Sequence, residues 1–349
     1  MTQSSDAIVP LGAMRFNSDS SKLEYWNGSE WMQIHTFSPN LDGGTRALFA
    51  GGYIAPGPCV DTVDFITVET QGNAIDFNNL TATKVGGYGC SDKTRAVYAG
   101  GRLSTTPGGS ATNDITSCTI SISNDFVNQS DLTASRAFGT GFSSATRAVF
   151  AGQAVPSYGN TMDFTNIQSL GDAVDFGDTA QKNAYAFSTQ SPTRGFVIGG
   201  LRVNAPDTED YNTIEMFTIA TTGNGVDFGD ITTTRYEGGG GGNATRGIVA
   251  GGYGPNYTDR IEFFTLSSAG DATNFGDLSS SNNGTGKYSA SSPTRFVIGG
   301  GYGASPHYGV TLEYVNIATQ GDSADFGDLT QGRRSLGDPH ISNGHGGLG

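Results

Sequence analysis

No apolar run in this chain approaches the ~18 residues of a membrane-crossing helix, so membrane insertion is not expected. The start, Met1 to Pro10, has neither a basic region nor an apolar core, and no secretory leader is expected there. Basic residues are scarce: 19 Lys and Arg stand against 33 Asp and Glu, for a formal net charge of −14. Nucleic-acid backbones are held by clustered Lys and Arg, so nucleic acid is excluded as a partner. The three cysteines, Cys59, Cys90 and Cys118, cannot all pair within one chain and lack the CxxC spacing of zinc or redox sites. They read as small buried or loop thiols. The four histidines, His35, His307, His340 and His345, show no metal-ligand spacing, and no G-x-S-x-G nucleophile motif occurs. No catalytic residue, metal or cofactor is assigned. A sustained 3.6-residue apolar period is also missing, which speaks against helices.

What is abundant is glycine, with 53 residues placed among β-branched and aromatic ones rather than at every third position as in collagen. A repeat sets those places. Thr-Arg occurs as Thr45-Arg46, Thr94-Arg95, Thr146-Arg147, Thr193-Arg194, Thr245-Arg246 and Thr294-Arg295, roughly 47 to 52 residues apart. Each pair leads into a short apolar run ending in glycine, then a variable loop, a run rich in aromatic and β-branched residues, and an acidic-Phe turn. In the fifth unit these are Gly247-Ile248-Val249-Ala250, Tyr253 to Arg260, Ile261 to Leu266, and Asn274-Phe275-Gly276-Asp277. Runs of four to six residues bounded by Gly, Asn, Asp or Pro are strands. Four short strands per unit make the blade of a β-propeller, with both faces of each sheet covered by neighbours. The glycine-rich strand, as at Gly238 to Gly242, suits the innermost position, where backbones approach closely.

These residues resemble the kelch repeat. Its Gly-Gly doublet appears as Gly51-Gly52, Gly100-Gly101, Gly199-Gly200, Gly251-Gly252 and Gly299-Gly300. Third-strand aromatics include Phe65, Phe164, Phe263 and Tyr314. Phe77, Phe126, Phe176, Phe228, Phe275 and Phe326 stand where kelch units usually carry Trp, and Lys84, Arg136, Arg235 and Arg333 supply the base that opens a unit. Gly152-Gln153 replaces one doublet and Met216 one aromatic. The resemblance spans about residues 43–349 and implies an all-β, six-bladed kelch-like propeller. The first unit has no glycine-rich strand of its own, whereas Arg333 to Gly347 matches one. Closure by that C-terminal strand against Thr45 to Gly52 is therefore expected, which removes an exposed edge.

The first forty residues differ. Met14 to Asn17, Lys22 to Trp26 and Trp31 to Ile34, with a tight turn at Asn27-Gly28, make a small three-strand β-meander. The domains expected are thus 1–40, a meander for attachment or oligomer contact, and 41–349, the propeller. Both tryptophans lie in the first, and Phe16, Tyr25, Trp26 and Trp31 are its candidate attachment residues. Gly12 to Asn17 with Leu23 to Trp31 resembles a short module of tail and fibre proteins of tailed bacteriophages. The motifs Thr-Arg-Ala-Val-Phe-Ala-Gly and Gly-Asp-Ala-Val-Asp-Phe-Gly-Asp likewise resemble virion structural proteins of marine cyanobacteria-infecting phages.

The acidic turns, such as Asp172, Asp175 and Asp178, could bind Ca²⁺, but they lack the D-x-D-x-D-G spacing, and Asp also caps tight turns through its own backbone. The six arginines after Thr could reach carboxylates on adjacent units as a ring of salt bridges, or form a polyanion site. The loops between second and third strands vary and hold Tyr53, Tyr158, Tyr211, Tyr253, Tyr257, Tyr302 and Tyr308. Such loops on a rigid scaffold form binding surfaces, although tyrosine also fills space beneath drifting loops. The resemblance implies a non-enzymatic virion component, made in the host cytoplasm, present in several copies and partnered by other virion structural proteins. A host-surface glycan or protein would meet the loop face. The alternatives are a carbohydrate-binding adhesin proper and a glycan-cleaving enzyme, the latter requiring a carboxylate pair that nothing singles out.

Overall fold

Each Thr-Arg pair opens a strand whose residues beyond the arginine are buried, as in Arg46–Ala50, Arg95–Ala99 and Arg246–Ala250. The computed structural model describes residues 9–17, 22–33, 44–54, 57–103, 109–204, 207–280, 285–302, 308–335 and 340–348. The chain divides into two compact units, Met1–Gly43 and Gly44–Gly349. Among the described residues there is no α-helix, and only Gly346–Leu348 makes a 3₁₀ turn. The protein is all-β and propeller-like.

The first unit is an antiparallel meander of Met14–Asn17, Lys22–Trp26 and Trp31–Gln33. Its register sets Met14 opposite Tyr25, Phe16 opposite Leu23, and Tyr25 opposite Met32. Alternation therefore puts these five side chains on one face, and all five are exposed. The other face carries the Trp26–Trp31 contact (5.6 Å between rings), Arg15 over Trp31 at 4.2 Å, and the Arg15–Glu24 ion pair at 2.8 Å.

Among the described residues of the second unit lie six four-stranded antiparallel sheets. Five run in chain order, for example Gly239–Gly242, Arg246–Ala250, Arg260–Thr265 and Thr273–Asp277. The sixth joins both ends of the unit: Ile341–Ser342 pairs with Arg46–Ala50, setting Ile341 opposite Leu48 and Ser342 opposite Ala47. The first strands of successive sheets touch: Tyr88–Ser91, Thr140–Ser143, Phe187–Gln190, Gly239–Gly242, Thr285–Ser291 and Ile341–Ser342, the last again touching Tyr88–Ser91. The approach is backbone to backbone. A Cβ on Gly240 would lie 2.3 Å from the Ser188 carbonyl oxygen, which is why glycine fills that strand.

Between sheets the core is apolar, with the fourth-strand phenylalanines buried and Phe65, Phe164, Phe263 and Tyr314 edge-on to them at 5.8 to 6.0 Å. Polar links repeat as regularly. Among the described residues the arginine after each Thr meets no carboxylate; it donates to backbone carbonyls at the end of the next sheet's third strand. Arg147 reaches Ile219 (3.0 Å), Arg194 reaches Leu266 (2.9 Å), and Arg295 reaches Glu69 (2.8 Å). The expected salt-bridge ring is thus corrected: strand-end carbonyls lack ladder partners and take the charged donor. The acidic turns cap a neighbour rather than their own backbone. Asp172 accepts from Asp131 N (3.1 Å), Asp271 from Asp230 N (3.0 Å), Asp322 from Asp277 N (3.0 Å), and Asn73 from Asp328 N (3.1 Å).

The bases that open units are buried in ion pairs with third-strand carboxylates: Arg136–Asp163 (2.9 Å), Arg333–Asp64 (3.2 Å), Arg235–Glu262 and Lys84–Asp114. The third strands thus carry buried acids beside their aromatic and β-branched residues; Asp64, Asp163 and Glu262 are completely buried on them. Hydroxyls satisfy the remaining lone pairs, as Thr133 does for Asp163 and Thr330 for Asp64.

Candidate functional site

Two residues beyond the opening bases Lys84, Arg136, Arg235 and Arg333, and at Tyr185 and Gly286 in the other two repeats, the backbone does something that the strand pattern does not require. Phe138 N donates to Gly86 O (2.7 Å), Tyr185 N to Phe138 O (2.9 Å), and Glu237 N to Tyr185 O (2.9 Å). Gly286 N then donates to Glu237 O (2.7 Å), Ser335 N to Gly286 O (2.7 Å), and Gly86 N to Ser335 O (3.0 Å), returning to the start. One residue from each repeat thus enters a cycle of six amides. Gly86, Phe138, Tyr185, Glu237 and Gly286 have φ of 56° to 70°. Glycine adopts that left-handed region freely, but for Phe, Tyr and Glu it is strained, and such strain gathers at functional positions.

The side chains from this cycle begin an aromatic lining. Phe138 stacks on Tyr185 at 5.4 Å, Tyr185 contacts Tyr236 at 6.3 Å, Tyr236 contacts Tyr253 at 5.6 Å, and Tyr253 contacts Tyr257 at 4.9 Å. A second group comprises Tyr308 with Tyr53 (5.8 Å) and with Tyr302 (5.7 Å), and the Arg334 guanidinium lies 5.5 to 5.8 Å from all three rings. Arg334 also covers the Cα of Gly286, while Arg102 lies over Phe138 at 5.0 Å. The two groups adjoin, since Tyr257 feels the charges of Tyr302, Glu237 and Arg334.

Glu237 stands among these rings. Its carboxyl is half-buried and, among the described residues, makes no side-chain hydrogen bond. Burial pushes its pKa up to about 7, and the Arg334 charge opposes part of that rise. The Nε atoms of Arg334 and Arg102 are buried and likewise without a partner among the described residues. Desolvation raises Tyr158, Tyr185, Tyr236, Tyr257 and Tyr308, so their phenols stay neutral. The result is a mouth of neutral aromatic faces holding one ambivalent carboxyl and two permanent cations. Chemically it can stack flat rings, donate to an anion and exchange hydrogen bonds with hydroxyls.

Of the seven loop tyrosines singled out in the sequence, Tyr53, Tyr253, Tyr257, Tyr302 and Tyr308 come together here. Tyr158 lies near enough to share charge interactions with Tyr185, Tyr236 and Glu237. Tyr211 stands apart, its hydroxyl 3.4 Å from Glu209 beside Arg202. Sequence reasoning missed Phe138, Tyr185, Tyr236, Glu237, Arg102 and Arg334. A signal was present: Arg136-Ala137-Phe138, Asn183-Ala184-Tyr185 and Arg235-Tyr236-Glu237 share one offset from the opening base or its counterpart. The attachment candidates divide between faces of the meander, with Phe16 and Tyr25 on the exposed apolar side and Trp26 and Trp31 on the other. All three cysteines are buried. His35 and His307 lie outside the described residues, whereas His340 and His345 are completely buried. No protein-family model matches the chain, and no curated protein sequence matches it.

Proposed function

We propose that this chain is a non-enzymatic binding component of a tailed-phage particle. Its second unit is a six-bladed kelch-like propeller closed by the C-terminal strand, and the first unit attaches it to other virion proteins. Support for the closed ring comes from the pairing of Ile341–Ser342 with Arg46–Ala50, the amide cycle, and the Arg295 bond to Glu69. The observation that carries the binding role is the tyrosine-lined mouth, built from strained ring residues and from loops that differ between repeats. The exposed face of Met14, Phe16, Leu23, Tyr25 and Met32 supports attachment, because a contiguous apolar face on so small a sheet calls for a partner.

Antibody labelling of intact particles, viewed by electron microscopy, tests the reading. Label on the tail is expected, and the double change Phe16→Ser/Tyr25→Ser should reduce incorporation. Particles that carry no label would sink the virion assignment. A second reading, host recognition through a glycan, is favoured by unpaired polar groups between aromatic faces. Loss of host-cell adsorption in Tyr253→Ala/Tyr257→Ala particles would support it.

A further inference from the structure

We infer that the mouth is a binding site for an acidic saccharide, with the ligand carboxylate held by Arg334 and Arg102 and its pyranose rings against the tyrosine faces. This rests on the binding role proposed above and names its ligand class. The chain as a whole is strongly acidic, yet two arginines, Arg334 and Arg102, both lie close enough to Tyr185 to act on it. Both guanidinium groups have a buried Nε with no partner among the described residues. Neither side chain hydrogen-bonds to a described residue, and a carboxylate would accept from their terminal amines in the planar geometry that arginine prefers. Tyr53, Tyr302 and Tyr308 surround Arg334, and Phe138 lies beneath Arg102. Flat apolar faces beside hydroxyls suit the C–H faces and hydroxyl rims of a sugar. Glu237 supplies the remaining acceptor, or a donor when protonated.

The arrangement also fixes a sign. Around Glu237 stand Arg334 and the phenols of Tyr158, Tyr185, Tyr236 and Tyr257, with Asp210 beside Tyr236 and Arg102 beside Tyr185. Between pH 6 and 8 a sugar carboxylate stays ionised. Glu237 loses its charge below about 7. Repulsion of the ligand carboxylate therefore disappears on the acid side, and binding strengthens from pH 8 to pH 6.

The test is calorimetric titration of the full-length protein with oligosaccharides carrying glucuronate, galacturonate or sialate, each beside its methyl ester. At least one acid should bind about tenfold tighter than its ester, the scale of one charge-assisted hydrogen bond. Arg334→Ala and Arg102→Ala should each remove that preference, and Glu237→Gln should abolish the difference between pH 6 and 8. Unchanged melting temperatures separate these effects from misfolding, with Glu237→Gln the mildest change. Equal binding of acid and ester overturns the acidic class while leaving a loop-face binding role standing. Silence toward every saccharide, with binding of an acidic peptide instead, overturns the saccharide class. Binding that survives Tyr253→Ala/Tyr257→Ala and both arginine changes places the ligand elsewhere and overturns the site together with the role assigned to the mouth.

Discussion

Arg136 and Asp163 are both completely buried, so each depends on the other to offset its lost hydration. Arg136→Met would leave Asp163 with Thr133 as its remaining donor. Breaking such a pair costs about 3–5 kcal/mol, which urea denaturation should register. The double change Arg136→Met/Asp163→Leu removes both charges and should recover part of the loss. A double variant as unstable as the single would show that the charge left behind is not the cause. Glycines offer a sharper contrast. Gly240→Ala drives a Cβ to 2.3 Å from the Ser188 carbonyl oxygen, whereas a Cβ on Gly171 meets nothing within 4 Å. The first should destabilise by about 1–3 kcal/mol and the second by less than about 0.5 kcal/mol, compared by thermal melting. At this scale the sequence was only half legible. Phe275 and its counterparts announced themselves by position in the repeat. The partners Asp64, Asp163 and Glu262 did not, because an acid beside an aromatic in a strand reads as a solvent-facing residue until its buried base is seen.

The element that most repays attention is the C-terminal segment, His340 to Leu348. His345 donates from Nε2 to Ser91 O (2.8 Å) and accepts at Nδ1 from Gly347 N (3.1 Å), so it is the neutral Nε2–H form. His340 meets Gln190 at 3.2 Å and Ser291 at 3.0 Å. Burial holds His340 at about 3, with His345 adding to the shift, and holds His345 at about 4 despite the Ser91 bond and Asp92. Unfolded histidine titrates near 6.5, so below that pH the unfolded chain binds more protons than the folded one. Stability from this source is complete above about 6.5 and is lost as pH falls toward 4. Equilibrium unfolding from pH 7 to pH 5 should show the decline, and His345→Gln, which keeps a donor and an acceptor, should flatten it. An unchanged slope would mean that His345 does not contribute to the acid limit. The strands themselves were readable because their boundaries are glycine and turn residues at a fixed period. The amide cycle was not, since backbone conformation at Phe138, Tyr185 and Glu237 opposes the preference of those residues and arises from the ring that holds them. The loop tyrosines were legible as a group by composition, but only position in space could separate Tyr211 from the rest.

One turn of the second unit is made from two distant pieces of chain. In five units a single side chain caps the turn before the arginine: Asp92, Ser144, Ser191, Asn243 and Ser292 accept from the amides of Arg95, Arg147, Arg194, Arg246 and Arg295. In the remaining one, Asn343 accepts from Arg46 N at 2.7 Å, across 297 positions of sequence. Asn343 N returns a bond to Arg46 O at 3.1 Å, just as Asp92 N does to Arg95 O at 3.0 Å. Ser342-Asn343-Gly344 followed by Thr45-Arg46 therefore reproduces Ser91-Asp92-Lys93-Thr94-Arg95 with a gap where a peptide bond would fall. A Cβ on Gly344 would sit 2.5 Å from the Thr45 hydroxyl, so the two ends are already adjacent. A circular permutant can close that gap. It would begin at Thr330, pass from Gly344 directly to Thr45, and end at Leu329. The reference is a parent chain that also stops at Gly344, so that both lack the buried turn beyond it. On the proposed closed ring, the permutant should melt in one cooperative transition at or above the parent's temperature, because joining the pieces removes the entropy of bringing them together. Deleting residues 333 to 349 from the full chain should instead lower the melting temperature sharply by exposing the edge of Arg46–Ala50. A permutant that unfolds well below its parent, or a truncation that melts like the full chain, would refute closure through this turn.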